Sequence, residues 1–427
     1  MIFFAKNIFP YLAFSSSAIG LFVGQQQINL TQAAMAVVFV ISLLAICFKR
    51  LSLKDMPPYF WFFLATIPGT AVYIFSTNDF FTPLRQYIVI SIGWISVWYF
   101  FFLNKFNPKV IFNFYLNIAL IAAYFGILQQ IGFILGLEYL YDFRWLFIGA
   151  ADFTFTENFL RAPSFFTEPS YFGLFLLPAI YFSILRINNS YKEMSYLNCS
   201  IFITAAIFTF STLTYTGILI SAIFAISSKI TRIRFALRNF FLVGMISFLS
   251  FLAVINIPAI SSRILEIPQV IAGDFSGEEN ISLLVNGVNL LIAYEAFFIN
   301  PFIGNGIGTY RVISEDILYN LFSSDQLIFS ILMSMEENLQ LADGGTMYFR
   351  LPVEIGILGC LILLWIFFIA VEVPKLDINK HIGIASLIFI FCFFLRTGQI
   401  FRFEIIYFSS IYLLTFSTYF KHLKTSR

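Results

Sequence analysis

The stretch RAPSFFTEPSYFG, residues 161–173, places Arg161 and Glu168 close together in a chain that carries few charges. Pro169 suits the first turn of a helix, where its missing N–H costs nothing. A helix that begins there presents free N–H groups and a positive dipole end, and with Arg161 nearby this is a cradle for a phosphate group. Glu168 would lie at the same place and could accept a proton from a sugar hydroxyl. The alternative is that Glu168 only caps the helix and pairs with Arg161.

A second cluster, NPFIGNGIGTYR, covers residues 300–311. Its glycines allow a tight backbone that can approach a ligand closely. A GxGxG run without a preceding strand is a weak nucleotide signal, and a turn between two interfacial helices is the alternative. The candidate substrate-binding residues here are Gly304, Gly306, Gly308, Tyr310 and Arg311.

Four further charged residues, Arg350, Glu354, Arg396 and Arg402, lie within or beside the last apolar runs. Ionisable groups at such depths are costly and tend to face a cavity or a partner. Alternatively, Arg396 and Arg402 reach the membrane interface by snorkelling. Arg350 and Glu354 are spaced for a pair on one helix face.

The elements that position these residues must lie in lipid, because the chain is 59% hydrophobic and 11% charged, with mean hydropathy +0.87. The two histidines, His381 and His422, fall on the side that we assign to the cytoplasm, so a site on the outer face has no imidazole. Chemistry there would use carboxylates, arginines, hydroxyls and backbone amides. We expect neither a metal nor a cofactor, and we interpret the four cysteines as packing residues.

Apolar runs of sufficient length predict an all-α polytopic membrane protein with about 12 transmembrane helices. The runs lie near residues 6–24, 28–48, 58–76, 83–103, 110–137, 169–186, 197–211, 213–228, 240–257, 346–371, 382–400 and 404–420. With both termini in the cytoplasm, every lysine falls on the cytoplasmic side. We therefore predict a single integral-membrane domain over residues 1–427. Two long extracytoplasmic loops, residues 138–168 and the acidic 258–345, would carry short interfacial helices.

Four motifs occur in a characteristic order: RAPSFFTEPS at 161–170, STLTYTG at 211–217, NPFIGNGIG at 300–308 and GTMYFRLPVEIGILG at 345–359. In this order the chain resembles the O-antigen polymerase and ligase superfamily, in particular the Wzy-type polysaccharide polymerases. The resemblance covers roughly residues 110–400. Each motif is short and degenerate, and their joint order is more specific than any one of them.

The resemblance implies a metal-independent, inverting glycosyltransferase on the outer face of the bacterial inner membrane. Its substrates would be oligosaccharide repeats carried on undecaprenyl diphosphate, in the surroundings of membrane lipid. A chain-length regulator protein is a further implied partner, and nucleic acid is not expected. Under this resemblance, Glu168 would activate the acceptor hydroxyl, with Arg161 beside it in the catalytic site. The arginines matched to diphosphate contacts are Arg161 and Arg311, with Arg350 and Arg402 as further candidates.

The sequence also departs from the family pattern. Ligases of this superfamily carry an outer-face histidine near the segment that here reads LADGGTMYFR, residues 341–350, and this segment has none, which favours a polymerase. Many relatives have an arginine where this chain has Asn286 and Asn289, so either Arg263 or Arg311 replaces it or this chain lacks that role. An O-antigen ligase is the second hypothesis. A flippase for the same lipid-linked units is the third, although the two halves of the chain lack the symmetry typical of transporters.

Overall fold

The computed structural model describes residues 3–14, 20–23, 26–47, 59–143, 155–156, 159–227, 281–322, 345–365, 378–398 and 402–416. Most of these residues are helical. A π-helical turn, Phe4–Ile8, precedes the α-helices, which are α1 Phe9–Phe14, α2 Leu30–Cys47, α3 Tyr59–Thr77, α4 Phe81–Leu103, α5 Pro108–Ile134, α6 Glu138–Tyr141, α7 Pro169–Ile187, α8 Tyr196–Ile207, α9 Thr212–Ser227, α10 Ile281–Ile299, α11 Tyr310–Phe322, α12 Met347–Leu364, α13 Ile378–Phe394 and α14 Phe403–Phe416. The strands are β1 Gly20–Val23, β2 Gln26–Asn29, β3 Phe155–Thr156 and β4 Phe159–Leu160, paired as two antiparallel hairpins.

Within these ranges, four helices are long and apolar enough to cross a membrane, namely α4, α5, α7 and α12. Shorter apolar helices accompany them in α2, α8, α9, α10, α13 and α14. The architecture is therefore that of a helical protein rich in apolar helices, as a membrane protein requires. The number of about 12 spans stays a prediction. The run at 240–257 lies outside the described residues.

The first predicted span, residues 6–24, is wrong as a single helix. Among the described residues of this stretch, 4–14 form helical turns and 20–23 form strand β1, which pairs with β2 in the register Gly20 to Asn29 and Val23 to Gln26. Apolar length suggested a helix here, but the strand begins at Gly20. Glycine disfavours a helix interior by about 1 kcal/mol relative to alanine, which offsets the hydrophobic signal.

Helix α7 lies at the centre of the main core. An 18-residue stretch of α7 is 78% buried, against 44% for the corresponding stretches of α4, α5 and α12. It packs against α5, α8, α9 and α13. A Cβ on Gly173 would collide with the Thr214 side chain, and one on Gly217 would meet Leu177. Residues of the STLTYTG motif therefore pack closely against α7.

A second, smaller core joins α10, α11 and α12 around Val288, Ile292, Tyr310, Leu318 and Val353. Both α10 and α11 fall within residues 258–345, the segment that the sequence predicts to be an extracytoplasmic loop. Helix α10 is 19 residues long and largely apolar. This segment thus contributes packed helices to the structure, one of them as apolar as the predicted spans.

Helix α12 is interrupted at Gly356, whose φ of 64° and ψ of −175° are not helical. The glycine-rich segment 300–308 lies against this break. Backbone hydrogen bonds join the two, from Asn305 N to Val353 O (2.9 Å), Gly306 N to Glu354 O (2.9 Å), Ile357 N to Pro301 O (2.8 Å) and Leu358 N to Phe302 O (3.0 Å). The segment thereby satisfies backbone groups that the interruption leaves without helical partners.

The two ends of α7 differ in their surroundings. Beyond its C-terminal end, Glu193 forms an ion pair of 2.7 Å with Lys109, at the start of α5. Near the same end, Tyr181 hydrogen bonds to His381 at the start of α13, at 3.0 Å. Glu168 lies at the other end of α7. The described segments that carry Lys109 and Glu193 therefore lie at the opposite end of the helix from Glu168.

Candidate functional site

The predicted helix start at Pro169 is confirmed. Pro169 occupies the first turn of α7, and Glu168 stands at the N-cap position with extended backbone, φ −150° and ψ 150°. Among the described residues, the Glu168 side chain makes no capping hydrogen bond to the helix. Its carboxylate is therefore directed to other partners, and the alternative of a pure capping role is not what the structure shows.

The loop between Arg161 and Glu168 is held in place by hydrogen bonds to α5. The side-chain amide of Gln129 accepts a hydrogen bond from Ser164 N at 2.7 Å and donates one to Ser164 O at 3.1 Å. The Ser164 hydroxyl donates to Ala122 O at 2.8 Å. Ser164 has a φ of 56°, in the left-handed region, and this reciprocal amide contact holds it there. The position of Glu168 thus depends on a buried polar contact to α5.

Glu168 forms an ion pair with Arg396, in the turn that follows α13. Arg396 Nη2 contacts Glu168 Oε2, while Arg396 Nε donates to Ser170 Oγ at 3.1 Å. Ser170 Oγ in turn donates to Glu168 Oε2 at 3.0 Å. The three side chains close a triangle across α7 and α13. Its charged members remain accessible, with side-chain exposures of 39% for Glu168 and 24% for Arg396.

A second guanidinium lies beside this triangle. Arg402, just before α14, lies over the Tyr171 ring at 3.9 Å from its centroid, and Arg396 lies 5.1 Å from the same centroid. Such cation–π contacts hold guanidinium groups in place without neutralising them. A guanidinium stays protonated in proteins, so Arg396 is a permanent cation.

Arg350 connects α12 to the same region. Its Nε forms a buried ion pair of 2.7 Å with Glu354 Oε1, as the spacing of the two residues on one helix face predicts. Its Nη1 donates to Gly398 O at 3.1 Å, in the segment between Arg396 and Arg402. Arg350 therefore supports the segment that carries the other two arginines. Within the described ranges, Glu354 Oε2 has no hydrogen-bond partner.

Arg161 lies on a different side of α7, next to the break between α8 and α9. The neighbouring Ala162 N donates to Phe208 O at 2.9 Å, and the charge of Arg161 acts on Tyr215. Arg161 Nε is buried and, in the part of the chain that the structure describes, has no hydrogen-bond partner. The sequence-based alternative that Arg161 pairs with Glu168 is wrong, because Glu168 pairs with Arg396.

The glycine cluster lies elsewhere, between α12 and the helices α3 and α4. Gly304 meets the backbone of Glu354 and Gly356, while Gly306 lies against Thr70 and Gly308 against Gln86. All three glycines have positive φ. These contacts give the glycines a packing role, and their predicted contact with substrate stays a prediction.

Tyr310 and Arg311 begin α11. Tyr310 is fully buried in the smaller core, and its hydroxyl lies 3.5 Å from Asn289 O. Arg311 is largely exposed, and its Nε forms an ion pair of 2.9 Å with Glu315 one turn later. The substrate-binding roles of both residues stay predictions.

Among the residues proposed from sequence, the structure thus brings Glu168, Arg402 and, through Gly398, Arg350 into one cluster. Sequence reasoning missed Ser170 and Tyr171, and for Arg396 it left open a partner or a snorkelling role without placing the residue in the site. An arginine at membrane depth is costly, so the sequence predicts that Arg396 has a partner but does not identify that partner. In the described ranges, His, Cys, Asp and Glu side chains form no group of three that could hold a metal ion.

Comparison of the chain with models of protein families, with curated proteins and with solved structures gives no match. Function must therefore be inferred from the residues and their geometry. The resemblance in motif order remains an expectation from the sequence.

Proposed function

We propose that this chain is a polymerase of undecaprenyl-diphosphate-linked oligosaccharide repeat units in surface polysaccharide synthesis. It would be a metal-independent glycosyltransferase at the extracytoplasmic face of the bacterial inner membrane. The observation that carries the proposal is the accessible triangle of Glu168, Ser170 and Arg396 beside Arg402, at the end of α7 opposite Lys109. It combines a carboxylate with two guanidinium groups, the pair of functions that such a transfer needs.

The two guanidinium groups match the chemistry of a diphosphate. A guanidinium offers several N–H donors in a fixed fork and binds phosphate oxygens through paired hydrogen bonds. Arg396 and Arg402 share the Tyr171 ring, so their charges are held near one another despite their mutual repulsion. A ligand with more than one negative charge would relieve that repulsion.

In the proposed reaction, the acceptor hydroxyl oxygen forms a bond to the anomeric carbon of the donor sugar. The bond from that carbon to the diphosphate oxygen breaks, and its electron pair leaves with undecaprenyl diphosphate. Glu168 accepts the proton of the hydroxyl, and Arg396 and Arg402 stabilise the charge that develops on the leaving group. A single displacement of this kind inverts the anomeric configuration.

Arg396 contacts the carboxylate of Glu168, which is the base of the proposed reaction. We infer that the diphosphate competes for Arg396 and draws it away from Glu168. Binding of the donor would thereby release the base at the moment when the acceptor needs it.

The test is chain extension by the full-length protein in liposomes, with lipid-linked repeats extracted from a strain that lacks the protein. Glu168→Gln should reduce extension by about 10² or more, because a neutral amide cannot accept the proton. The control is Glu193→Gln, which removes an ion-paired glutamate beyond the far end of α7 and should leave extension unchanged. Full extension by Glu168→Gln would exclude Glu168 as the base.

A further inference from the structure

Ser170 belongs to the triangle, but the reaction proposed above gives its hydroxyl no role. Ser170 is the second residue of α7 and is partly buried. Its Oγ lies 3.0 Å from Glu168 Oε2 and 3.1 Å from Arg396 Nε. One hydroxyl therefore contacts both the carboxylate and a guanidinium of the site.

The direction of both hydrogen bonds follows from the chemistry of the three groups. A guanidinium N–H can only donate, so Ser170 Oγ accepts the hydrogen bond from Arg396 Nε. An ionised carboxylate can only accept, so the single proton of the Ser170 hydroxyl is directed to Glu168. The hydroxyl cannot rotate away from the carboxylate without losing that hydrogen bond.

The two carboxylate oxygens of Glu168 consequently differ in their surroundings. Oε2 accepts hydrogen bonds from Ser170 Oγ and from Arg396 Nη2. From the described residues, Oε1 receives no hydrogen bond, and the carboxylate makes no capping bond to α7. The Glu168 side chain is 39% exposed, so a ligand can reach it. Oε1 is therefore the oxygen that is available to a substrate hydroxyl.

The backbone holds Ser170 beside Glu168. The ring of Pro169 fixes its own φ, and Phe172 N donates to Glu168 O at 3.2 Å. Ser170 and Glu168 thus share one rigid turn, whereas Arg396 comes from the turn after α13. When Arg396 moves to a diphosphate, as proposed above, the hydrogen bond from Ser170 is the contact that stays on Oε2.

We propose that Ser170 is a positioning residue of the transfer reaction and that Glu168 Oε1 is the atom that accepts the proton. The inference rests on the proposed function, because it specifies how the base of that reaction is oriented. The proton of the acceptor hydroxyl moves to Oε1 while the hydroxyl oxygen bonds to the anomeric carbon and the bond to the diphosphate oxygen breaks. Protonation of Oε1 leaves Oε2 as the carbonyl oxygen of the acid, which still accepts from Ser170.

The test is chain extension by full-length Ser170→Ala in liposomes, at varied concentrations of the lipid-linked donor. We expect kcat to fall by about tenfold, because the carboxylate loses its fixed orientation. The KM for the donor should change by less than about twofold, since Arg396 and Arg402 keep their contact with Tyr171. The melting temperature should be unchanged.

Two single variants accompany this measurement. Ser170→Thr keeps the hydroxyl and should restore kcat to within about threefold of the unmodified protein. Ser183→Ala is the matched control on the same helix, because the Ser183 hydroxyl donates to Ala179 O within α7. It should extend chains as the unmodified protein does.

A double variant distinguishes positioning of the base from a general structural role. If Ser170 acts through Glu168, Ser170→Ala should cause no further loss in the Glu168→Gln background, because the group that it positions is already inactive. A further tenfold loss in that background would overturn the proposal. So would an unchanged kcat in Ser170→Ala, or a Ser170→Thr variant that is as slow as Ser170→Ala.

Failure of this inference differs from failure of the proposed function. A slow Glu168→Gln together with a normal Ser170→Ala would reject the role of Ser170 and keep the polymerase. Absence of extension by the unmodified protein, or a normal rate in Glu168→Gln, would reject the proposed reaction and the role of Ser170 with it.

Discussion

Glu168 and Arg396 form a pair that is suited to function more than to stability. Both side chains are partly exposed, and an exposed ion pair contributes only about 0–1 kcal/mol to folding. The buried pair of Arg350 and Glu354 is different, because loss of one partner would leave an uncompensated charge inside the protein. Variants of Glu168 and Arg396 should therefore fold, which makes their effects on activity interpretable.

Arg396→Lys should lower the rate of chain extension by on the order of 10²-fold, with the melting temperature unchanged. Lysine keeps the charge but cannot contact Glu168, Ser170 and a diphosphate at the same time. The comparison is Arg186→Lys, since Arg186 also lies over a tyrosine, Tyr196, but near the other end of α7. Equal rates for Arg396→Lys and the unmodified protein would remove Arg396 from the site.

In the Arg161→Lys variant, kcat/KM for the lipid-linked donor should fall by about tenfold or more. The reason is the resemblance, which implies that Arg161 contacts the diphosphate, because a lysine cannot offer the paired N–H donors of a guanidinium. The expected change is a higher KM for the lipid-linked donor at an almost constant kcat. An Arg161→Lys variant with normal KM would reduce the role of this residue to simple charge.

At the scale of elements, the interruption of α12 and the glycine-rich segment form one structural unit. The carbonyls of Val353 and Glu354 accept hydrogen bonds from Asn305 and Gly306, so the break and the segment stabilise each other. A Cβ at Gly356 would collide with the backbone of Gly304 and Phe302. Because Arg350 stands two turns before the break on the same helix, this unit also sets the position of Arg350 relative to Gly398.

Gly356→Ala should destabilise the protein strongly, by about 3 kcal/mol or more, through strain at positive φ and through the backbone collision. Gly136→Ala is the control. Gly136 has a similar φ of 68°, but a Cβ there meets nothing within 4 Å. Its cost should be limited to about 1 kcal/mol. Thermal unfolding in detergent measures both, and equal melting temperatures would contradict the packing role of Gly356.

The sequence predicts local features of these elements well and their partners poorly. Pro169 marks the start of α7 correctly because its backbone is fixed by its own ring. The glycines at 304, 306 and 308 predict a tight backbone. Their neighbours come from α3, α4 and α12, and no local sequence pattern identifies these neighbours. The predicted helix at 6–24 is wrong as a single helix, because apolar length alone does not distinguish a helix from a strand that begins at a glycine.

At the scale of the whole molecule, the described segments with Lys109 and Lys192 lie at the opposite end of α7 from Glu168 and Arg396. The assignment of the two ends to the two sides of a membrane stays a prediction from the distribution of lysines. The pairing of Glu168 with Arg396 was beyond sequence reasoning. The two residues are 228 positions apart, and their contact depends on the packing of α13 against α7.

The most direct measurement is the surface-glycan banding pattern of a strain that lacks this protein, complemented with the unmodified chain or with Glu168→Gln. We expect glycan capped at a single repeat in the deletion strain and in the Glu168→Gln strain, and a full ladder with the unmodified chain. Long chains that accumulate on the carrier lipid without transfer would indicate a ligase instead. Single repeats trapped on the inner leaflet would indicate a flippase, and either result would contradict a polymerase.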